Sequence, residues 1–256
     1  MHGINPAEFA HIAAVERNFW WFRGMDRMLW QFLDPLAPFF RGRAACEVGC
    51  GTGWISEQFI QRYPNTSLLS LDLESEGIQY ARMRGLNLLI QANTCLLPLR
   101  DKSFQLLFAM DVLSHLVPGD EHHAFAEFNR VLSPGGILVF RTSAFEWLRS
   151  QHSEFIDERQ RYTREKALPL LQANGFKLLR SSYANMLLLP VALAKFRIWE
   201  PLMGAEPESG LQAINPVLNT FLEQFLKLEP TWLNWGVDLP VGQSLWVIAR
   251  KETEFR

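Results

Sequence analysis

The segment from Glu47 to Trp54, EVGCGTGW, carries glycine at three alternate positions. Glycine has no Cβ, so Gly49, Gly51 and Gly53 predict a loop whose backbone a ligand can approach closely. Loops that bind dinucleotides need the pattern Gly-x-Gly-x-x-Gly, in which the last glycine lets the helix lie against the strand. Here that last position is Trp54. Its bulky indole indicates that the ligand is not a dinucleotide.

An acidic residue that leads into Gly-x-Gly-x-Gly resembles motif I of the class I S-adenosylmethionine-dependent methyltransferases, in particular bacterial type 11 members that act on small molecules. The resemblance implies S-adenosylmethionine as the cofactor and S-adenosylhomocysteine as its product. The charges agree with such a ligand. A carboxylate at Glu47 favours an ammonium and a sulfonium, whereas it would repel a pyrophosphate.

Later motifs of the same family have counterparts in the same order. LLSLDLES ends a strand at Asp72, where these enzymes hold both ribose hydroxyls with one carboxylate; the alternative is an ordinary turn aspartate. LIQANTCLLPLRDKSFQLLFAMDVLSHL resembles the stretch that reads the adenine, with Asn93 in place of the usual Asp and Thr94 supplying a backbone contact. The amide oxygen of Asn93 can still accept a proton from the adenine amino group. Gln105 and Ser114 also replace acidic residues of the family pattern.

Two more stretches, RVLSPGGILVF and YTREKALPLLQANGFKLLR, resemble the region that follows these motifs. The resemblance therefore covers about residues 44–180 and the last strand. It implies a set of cofactor contacts at Glu47, Gly49, Cys50, Gly51, Gly53, Asp72, Leu73, Asn93, Thr94, Met110 and Asp111.

Methyl transfer is an in-line displacement at a sulfonium, so the protein mainly positions donor and acceptor and excludes water. His115 is the best-placed candidate base, because it follows the fourth predicted strand and such loops build the site in parallel sheets. The alternative is a capping or packing histidine. Tyr162 precedes a helix and could reach a substrate, with a structural role as the alternative. Asp111 could bind the amino group of the donor, or the acceptor.

Four consecutive aromatic residues, Phe19 to Phe22, lie in the segment ERNFWWFRGMDRM, which resembles a segment that precedes motif I in some bacterial members of the family. A helix would spread them over more than half of its circumference. In one interpretation Phe19, Trp20 and Trp21 form a lid whose rings meet the sulfonium or stack on the substrate. In the other, the helix is clamped between the sheet and a cap. Trp54 is likewise either packing or pocket wall.

From Ala44 onward strand patterns alternate with helix patterns, which is typical of an α/β fold. We expect a doubly wound, mostly parallel seven-stranded sheet of the Rossmann-like methyltransferase type. One helix is predicted before it, from its N-cap at Asn5 to Leu33, followed by a link from Asp34 to Arg43. The predicted strands cover residues 44–48, 68–72, 87–91, 104–110, 137–141, 176–180 and 244–249.

The predicted domains are an N-terminal helical lid at residues 1–40 and a cofactor-binding methyltransferase domain at 41–256. A helical insertion at 185–242 precedes the last strand; it holds the apolar run MLLLPVALAKF and a helix capped by Asn215. The run is too short to span a bilayer, which takes roughly 20 apolar residues. It is either a cap packed on the sheet, or a wall for a lipophilic substrate or a membrane-surface contact.

The composition, 256 residues with 48% hydrophobic residues and a formal net charge of −2, is that of an ordinary soluble globular chain. No long Lys/Arg cluster offers a footprint for nucleic acid. The cysteines at positions 46, 50 and 95 lack the spacing of a structural zinc site, so we expect free thiols, no metal and a reducing compartment. The start, MHGINPAEFAHIAA, does not resemble a secretory signal. We therefore expect a cytoplasmic protein with a small-molecule substrate.

Together these features predict transfer of a methyl group from S-adenosylmethionine to a small, rather apolar acceptor. Two alternatives stay open: an enzyme that uses the same cofactor for another reaction, and an inactive methyltransferase-like partner protein. No motif specifies the acceptor, the methylated atom or the oligomeric state.

Overall fold

The computed structural model describes residues 3–203, 208–211 and 214–253. Its centre is a seven-stranded sheet in the order β3-β2-β1-β4-β5-β7-β6. Neighbouring strands from β3 to β5 are parallel, and β7 is antiparallel to both β5 and β6. The predicted α/β fold with a mostly parallel seven-stranded sheet is thereby confirmed. The strands are β1 Ala44–Val48, β2 Ser67–Asp72, β3 Leu89–Gln91, β4 Phe104–Met110, β5 Leu132–Ser143, β6 Phe176–Ala184 and β7 Ser244–Lys251.

The strand order determines where a ligand can bind. The sheet grows in one direction from β1 to β3 and in the other from β4 onward, so the order reverses between β1 and β4. The loops after the carboxyl ends of these neighbouring strands leave a crevice between them, which is the usual ligand position in open α/β sheets. β4 is apolar along most of its length because helices cover both faces of the sheet there.

Helices cover both faces of the sheet, and the N-terminal region departs from the prediction. In the described residues the α-helices are α1 Glu8–Val15, α2 Trp20–Leu33, α3 Ala37–Phe40, α4 Trp54–Arg62, α5 Ser75–Met83, α6 Glu121–Val131, α7 Gln151–Phe155, α8 Arg164–Ala173, α9 Leu189–Ala194, α10 Glu200–Met203 and α11 Pro216–Asn234. The prediction of a single helix from Asn5 to Leu33 is wrong, because the helix ends at Val15 and a second helix begins at Trp20. The carboxylate of Glu16, in the break between them, is buried. The N-cap of α1 is Ala7, and the predicted link contains α3.

Each face of the sheet has its own apolar core. On one face α6 and α8 supply buried side chains such as Phe128 and Leu171. On the other face Phe32 of α2 and Leu226 of α11 join Phe108 of the sheet. Because α2 also packs along α11, it lies between the sheet and the insertion. This supports the clamped-helix interpretation for α2, while the domain division at residue 40 stays a prediction.

The insertion before the last strand is helical, as expected. A π-helical turn, Lys195–Trp199, joins α9 to α10, and the side chain of Asn215 caps α11 by accepting the N–H of Val217 at 2.8 Å. Along the described chain, none of the helices combines the length and the apolarity that crossing a membrane requires.

Candidate functional site

Glycine is needed at the three alternate positions of the loop after β1 for different physical reasons. All adopt left-handed φ, at +73° for Gly49, +53° for Gly51 and +78° for Gly53, a conformation that glycine tolerates best. A Cβ on Gly49 would overlap Val112, and one on Gly53 would overlap Ala81. These two glycines therefore allow the protein to pack against itself, which corrects the interpretation that all three leave room for a ligand.

Gly51 has room for an added Cβ. Among the described residues, this Cβ would have a single neighbour within 4 Å, the ring of Phe9, at 3.8 Å. The same ring lies against Gly77 in α5, where an added Cβ would come within 3.1 Å of it. Phe9 belongs to α1 and is buried. The N-terminal helix thus bounds the space at the loop, a contact that no sequence pattern had indicated.

Asp72 closes β2 next to this loop. Its Oδ2 accepts the N–H of Gly51 at 2.7 Å and its Oδ1 accepts the N–H of Glu74 at 2.9 Å. Burial raises the pKa of this carboxyl, while the two N–H groups favour its ionised form. Each carboxylate oxygen keeps a second lone pair. Asp72 can therefore still accept protons from two hydroxyl groups of a ligand that lies on Gly51.

Glu47 and Cys50 are buried candidate residues of β1 and of the loop that follows it. Glu47 is fully buried and accepts a hydrogen bond from the hydroxyl of Ser56 in α4. Burial raises the pKa of this carboxyl to about 8. The predicted contact of Glu47 with the ammonium of the ligand stays a prediction. Cys50 is also buried, which raises the pKa of its thiol.

The buried Glu47 predicts a pH effect on stability. The folded state holds its proton up to about pH 8, whereas the unfolded chain loses it near the ordinary value, so the free energy of unfolding falls as the pH rises between those values. Glu47→Gln has no proton to lose at this position, so its free energy of unfolding should not fall in this way as the pH rises. We expect the variant to gain a few kcal/mol over the wild type between pH 5 and pH 8, since each pKa unit corresponds to about 1.4 kcal/mol.

Urea unfolding at several pH values measures this difference between variant and wild type. Glu76→Gln, at an exposed position in α5, is the matched control and should leave the pH slope unchanged. Parallel pH curves for the wild type and Glu47→Gln would contradict the prediction.

The predicted adenine-reading residues follow β3 at the same edge of the sheet. Asn93 Oδ1 accepts the N–H of Cys95 at 2.9 Å, which closes a tight turn around the buried Thr94. The carbonyl of Leu73, after β2, accepts a hydrogen bond from Gln91 Nε2 at 2.9 Å. An adenine amino group would use the remaining lone pair of the Asn93 oxygen. The roles of these residues stay predictions.

A buried ion pair fastens the N-terminal segment to the glycine loop. Thr52 Oγ1 donates to Glu16 Oε2 at 2.5 Å, and Arg84 of α5 forms an ion pair with the same carboxylate. Arg84 Nε also donates to the carbonyl of Thr52 at 2.8 Å. Burial raises the pKa of Glu16, opposed by the hydrogen bond from Thr52 and by the charge of Arg84. The link between α1 and α2 is thus held on the loop by charged groups far apart in sequence.

Trp54 connects the loop to α2. Its Nε1 donates to Asp26 Oδ2 at 2.9 Å. The guanidinium groups of Arg17 and Arg84 lie over its ring, 5.5 and 5.4 Å from the centroid. Because cations cover the ring and its N–H is paired, the structure supports packing as the role of Trp54.

The carboxyl ends of β4 and β5 bring together Asp111 and Arg141. Arg141 Nε donates to Asp111 Oδ1 at 3.1 Å, and its Nη2 pairs with Oδ2. The buried guanidinium lies 4.7 Å from the ring centroid of Trp21 and 5.5 Å from that of Trp246. Nη1 donates to no group among the described residues. Asp111 itself has a left-handed φ of +60°, which aspartate tolerates better than most residues.

Sequence reasoning had named Asp111, Met110 and Trp21 here but had missed Arg141. A signal existed, because Arg141 directly follows the buried run ILVF of β5, just as Asp111 follows β4. Met110 is buried in the core on the α2 side of the sheet. The two polar groups therefore lie where the crevice and α2 meet.

The two candidate catalytic residues differ in their surroundings. His115 Nδ1 lies 3.3 Å from the carbonyl of Asp157, and burial lowers the pKa of its imidazole, opposed by the charges of Glu158 and Asp111. The neutral tautomer with hydrogen on Nδ1 leaves Nε2 free to accept a proton. Tyr162 is fully buried in the core on the α6 side, with no hydrogen-bond partner for its hydroxyl in the described residues. Its proposed reach to a substrate is therefore corrected.

The remaining aromatic residues of the predicted lid lie at the start of α2. Phe19 is the extended N-cap of this helix, and the backbone N–H of Trp20 donates to Asn219 of α11 at 2.9 Å. Both rings are partly buried. Their contact with a substrate stays a prediction.

Residues 46–140 match a family model described as a methyltransferase domain. The malonyl-[acyl-carrier protein] O-methyltransferase 1 of Coxiella burnetii is 30% identical over 135 residues, which is 53% of this chain and 43% of that protein. The fatty-acid O-methyltransferase of Mycolicibacterium smegmatis is 32% identical over 118 residues, covering 43% and 42% of the two chains. The matched region thus spans less than half of either relative.

The fold has solved counterparts. The S-adenosylmethionine-dependent methyltransferase of Mesorhizobium loti superposes with a TM-score of 0.55 at 20% identity, covering 87% of this chain and 97% of that one. At this identity the likeness concerns the fold. Residues 46–140 are thus similar to a methyltransferase domain, and the fold of the chain is similar to that of S-adenosylmethionine-dependent methyltransferases.

Proposed function

We propose that the chain binds S-adenosylmethionine in the crevice between β1 and β4 and transfers its methyl group to an oxygen atom of a small, rather apolar acceptor. The observation that carries this proposal is the space beside Gly51, next to Asp72. A side chain at position 51 would fill this space, and a carboxylate with spare lone pairs borders it. An amino-acid nucleoside with a ribose diol fits both features.

The bound cofactor would supply a methyl group on a sulfonium, which an acceptor lone pair displaces in line. The residues of this chain then have mainly positioning roles. Asp72 would orient the ribose, and the segment with Phe9 and Glu16 would cover the loop and exclude water. His115 is our proposed proton acceptor for a hydroxyl acceptor, since its lowered pKa keeps the imidazole neutral at neutral pH.

The acceptor class rests on two kinds of support. Two curated relatives are named for malonyl-[acyl-carrier protein] and fatty-acid O-methylation. Within this chain, the partly buried ring of Trp21 supplies apolar surface beside Arg141 of β5. Nη1 of Arg141, which is left unpaired by Asp111 in the described part of the chain, offers a donor for a polar group of the acceptor. We place the reaction in the cytoplasm, in keeping with three free cysteine thiols.

The direct experiment incubates the purified chain with methyl-labelled S-adenosylmethionine and medium-chain fatty acids, alkyl alcohols or acyl thioesters that carry a free carboxylate. We expect S-adenosylhomocysteine and a labelled, organic-extractable product in equal amounts with at least one acceptor class. Cofactor binding without S-adenosylhomocysteine would favour another reaction of the same cofactor. No binding by calorimetry would favour the inactive partner protein.

A further inference from the structure

The helical segment from α9 to α10, residues 189–203, exposes one apolar face. Val191, Ile198, Trp199 and Leu202 of this face are 57–78% exposed. Their spacing, with Lys195 between them, repeats at three and four residues, which places them on one side of a helix. We call these five residues the outer face. An exposed apolar surface of this kind on a helix marks an interaction site.

The inner side of the same segment is already occupied. Ala192 and, just before α9, Leu188 are buried against the body of the protein. Arg197 Nε donates to the carbonyl of Trp147 at 2.9 Å, which fixes the segment beside another partly exposed tryptophan. The segment is therefore seated on the protein by one side, and the outer face is left toward the surroundings.

The charged residues of the segment indicate what kind of surface the outer face binds. The segment carries two cations, Lys195 and Arg197, and one carboxylate, Glu200. Glu200 accepts the N–H of Gln151 at 3.0 Å, so this carboxylate is engaged with the protein. Lys195 lies within the outer face, where its long stem can stay among the apolar residues while its ammonium reaches phosphates. Tryptophan and leucine beside lysine are typical of helices that lie in the interface of an anionic bilayer.

We propose that the outer face binds the surface of an anionic lipid membrane, with its apolar side chains inserted at the level of the headgroups. This makes the protein a peripheral membrane protein that binds by one helix face and not by a spanning helix. The proposal does not depend on methyl transfer, because binding to vesicles is measured without cofactor or acceptor.

The test is co-sedimentation of the full chain with vesicles of phosphatidylcholine containing phosphatidylglycerol, and with vesicles of phosphatidylcholine alone. We expect binding to the anionic vesicles that weakens with added salt. Leu202→Asp should lower the partition coefficient by about tenfold or more, as expected for loss of one inserted leucine. Lys195→Glu should lower it for anionic vesicles and leave the weak binding to neutral vesicles unchanged.

Met83→Asp is the matched control, because Met83 in α5 is 76% exposed, close to the 78% of Leu202. This variant should bind vesicles like the wild type. Circular dichroism checks that all variants fold, which exposed positions favour. The proposal is overturned if the wild type does not bind anionic vesicles, or if Met83→Asp and Leu202→Asp weaken binding equally. It is also overturned if the wild type is a dimer in ultracentrifugation and Leu202→Asp dissociates this dimer without weakening the binding to vesicles.

Discussion

Gly51→Val should abolish measurable binding of S-adenosylmethionine, with a loss in affinity of about 100-fold or more, which corresponds to roughly 2.7 kcal/mol. The branched side chain would enter the space beside the loop, where, among the described residues, an added Cβ would have Phe9 as its neighbour within 4 Å. Isothermal titration calorimetry measures the affinity, and circular dichroism reports whether the variant is folded.

Valine at position 51 also strains a backbone with a left-handed φ, and this strain needs its own control. Gly42→Val introduces the same side chain at φ +77°, where an added Cβ has no neighbour within 4 Å in the described part of the chain. We expect this control to lose some stability and to keep the affinity for the cofactor. Normal binding by Gly51→Val would show that no ligand approaches the loop there, and equal loss in both variants would assign the effect to strain.

Asp72→Ala should weaken binding of S-adenosylhomocysteine by roughly 1.5–3 kcal/mol, the range for hydrogen bonds to a charged group. The carboxylate borders the loop and, in the proposed site, accepts protons from the ribose hydroxyls. Its removal also leaves the N–H groups of Gly51 and Glu74 without their acceptor. A loss of affinity alone would therefore not separate ligand contact from loop support.

A modified ligand separates the two effects. The wild type should bind S-adenosylhomocysteine more tightly than its 2′-deoxy analogue, and Asp72→Ala should bind both with similar affinity, as in a double-mutant cycle. If the variant weakens both ligands by the same factor and keeps the preference, Asp72 supports the loop and does not touch the ribose.

The elements around the crevice could be predicted because each carries a local pattern. β1 and β4 have the predicted bounds, Ala44–Val48 and Phe104–Met110, since apolar runs and turn residues mark their ends. The nearness of Gly51 and Asp72 was foreseeable for a similar reason. Gly51 follows β1 and Asp72 ends the neighbouring parallel strand β2, and the carboxyl ends of parallel strands share one edge of the sheet.

The contacts that hold the N-terminal helices on the glycine loop could not be predicted, because they join residues that are far apart in the chain. Glu16 meets Arg84, Asp26 meets Trp54, and a phenylalanine of α1 meets Gly51. A charged residue in a helix pattern is normally solvated, so nothing local marks Glu16 as buried. The raised pKa of Glu47 also follows mainly from tertiary burial, which no local pattern marks.

The place of β7 in the sheet sets the order in which the protein can assemble. β7 lies between β5 and β6, although it follows both in the chain. Until residues 244–251 leave the ribosome, β6 has no strand to pair with and the edge of β5 stays open. An open edge invites pairing with other nascent chains. Chaperones that shield unpaired strands should therefore raise the yield of this protein, and fragments that stop before residue 244 should aggregate.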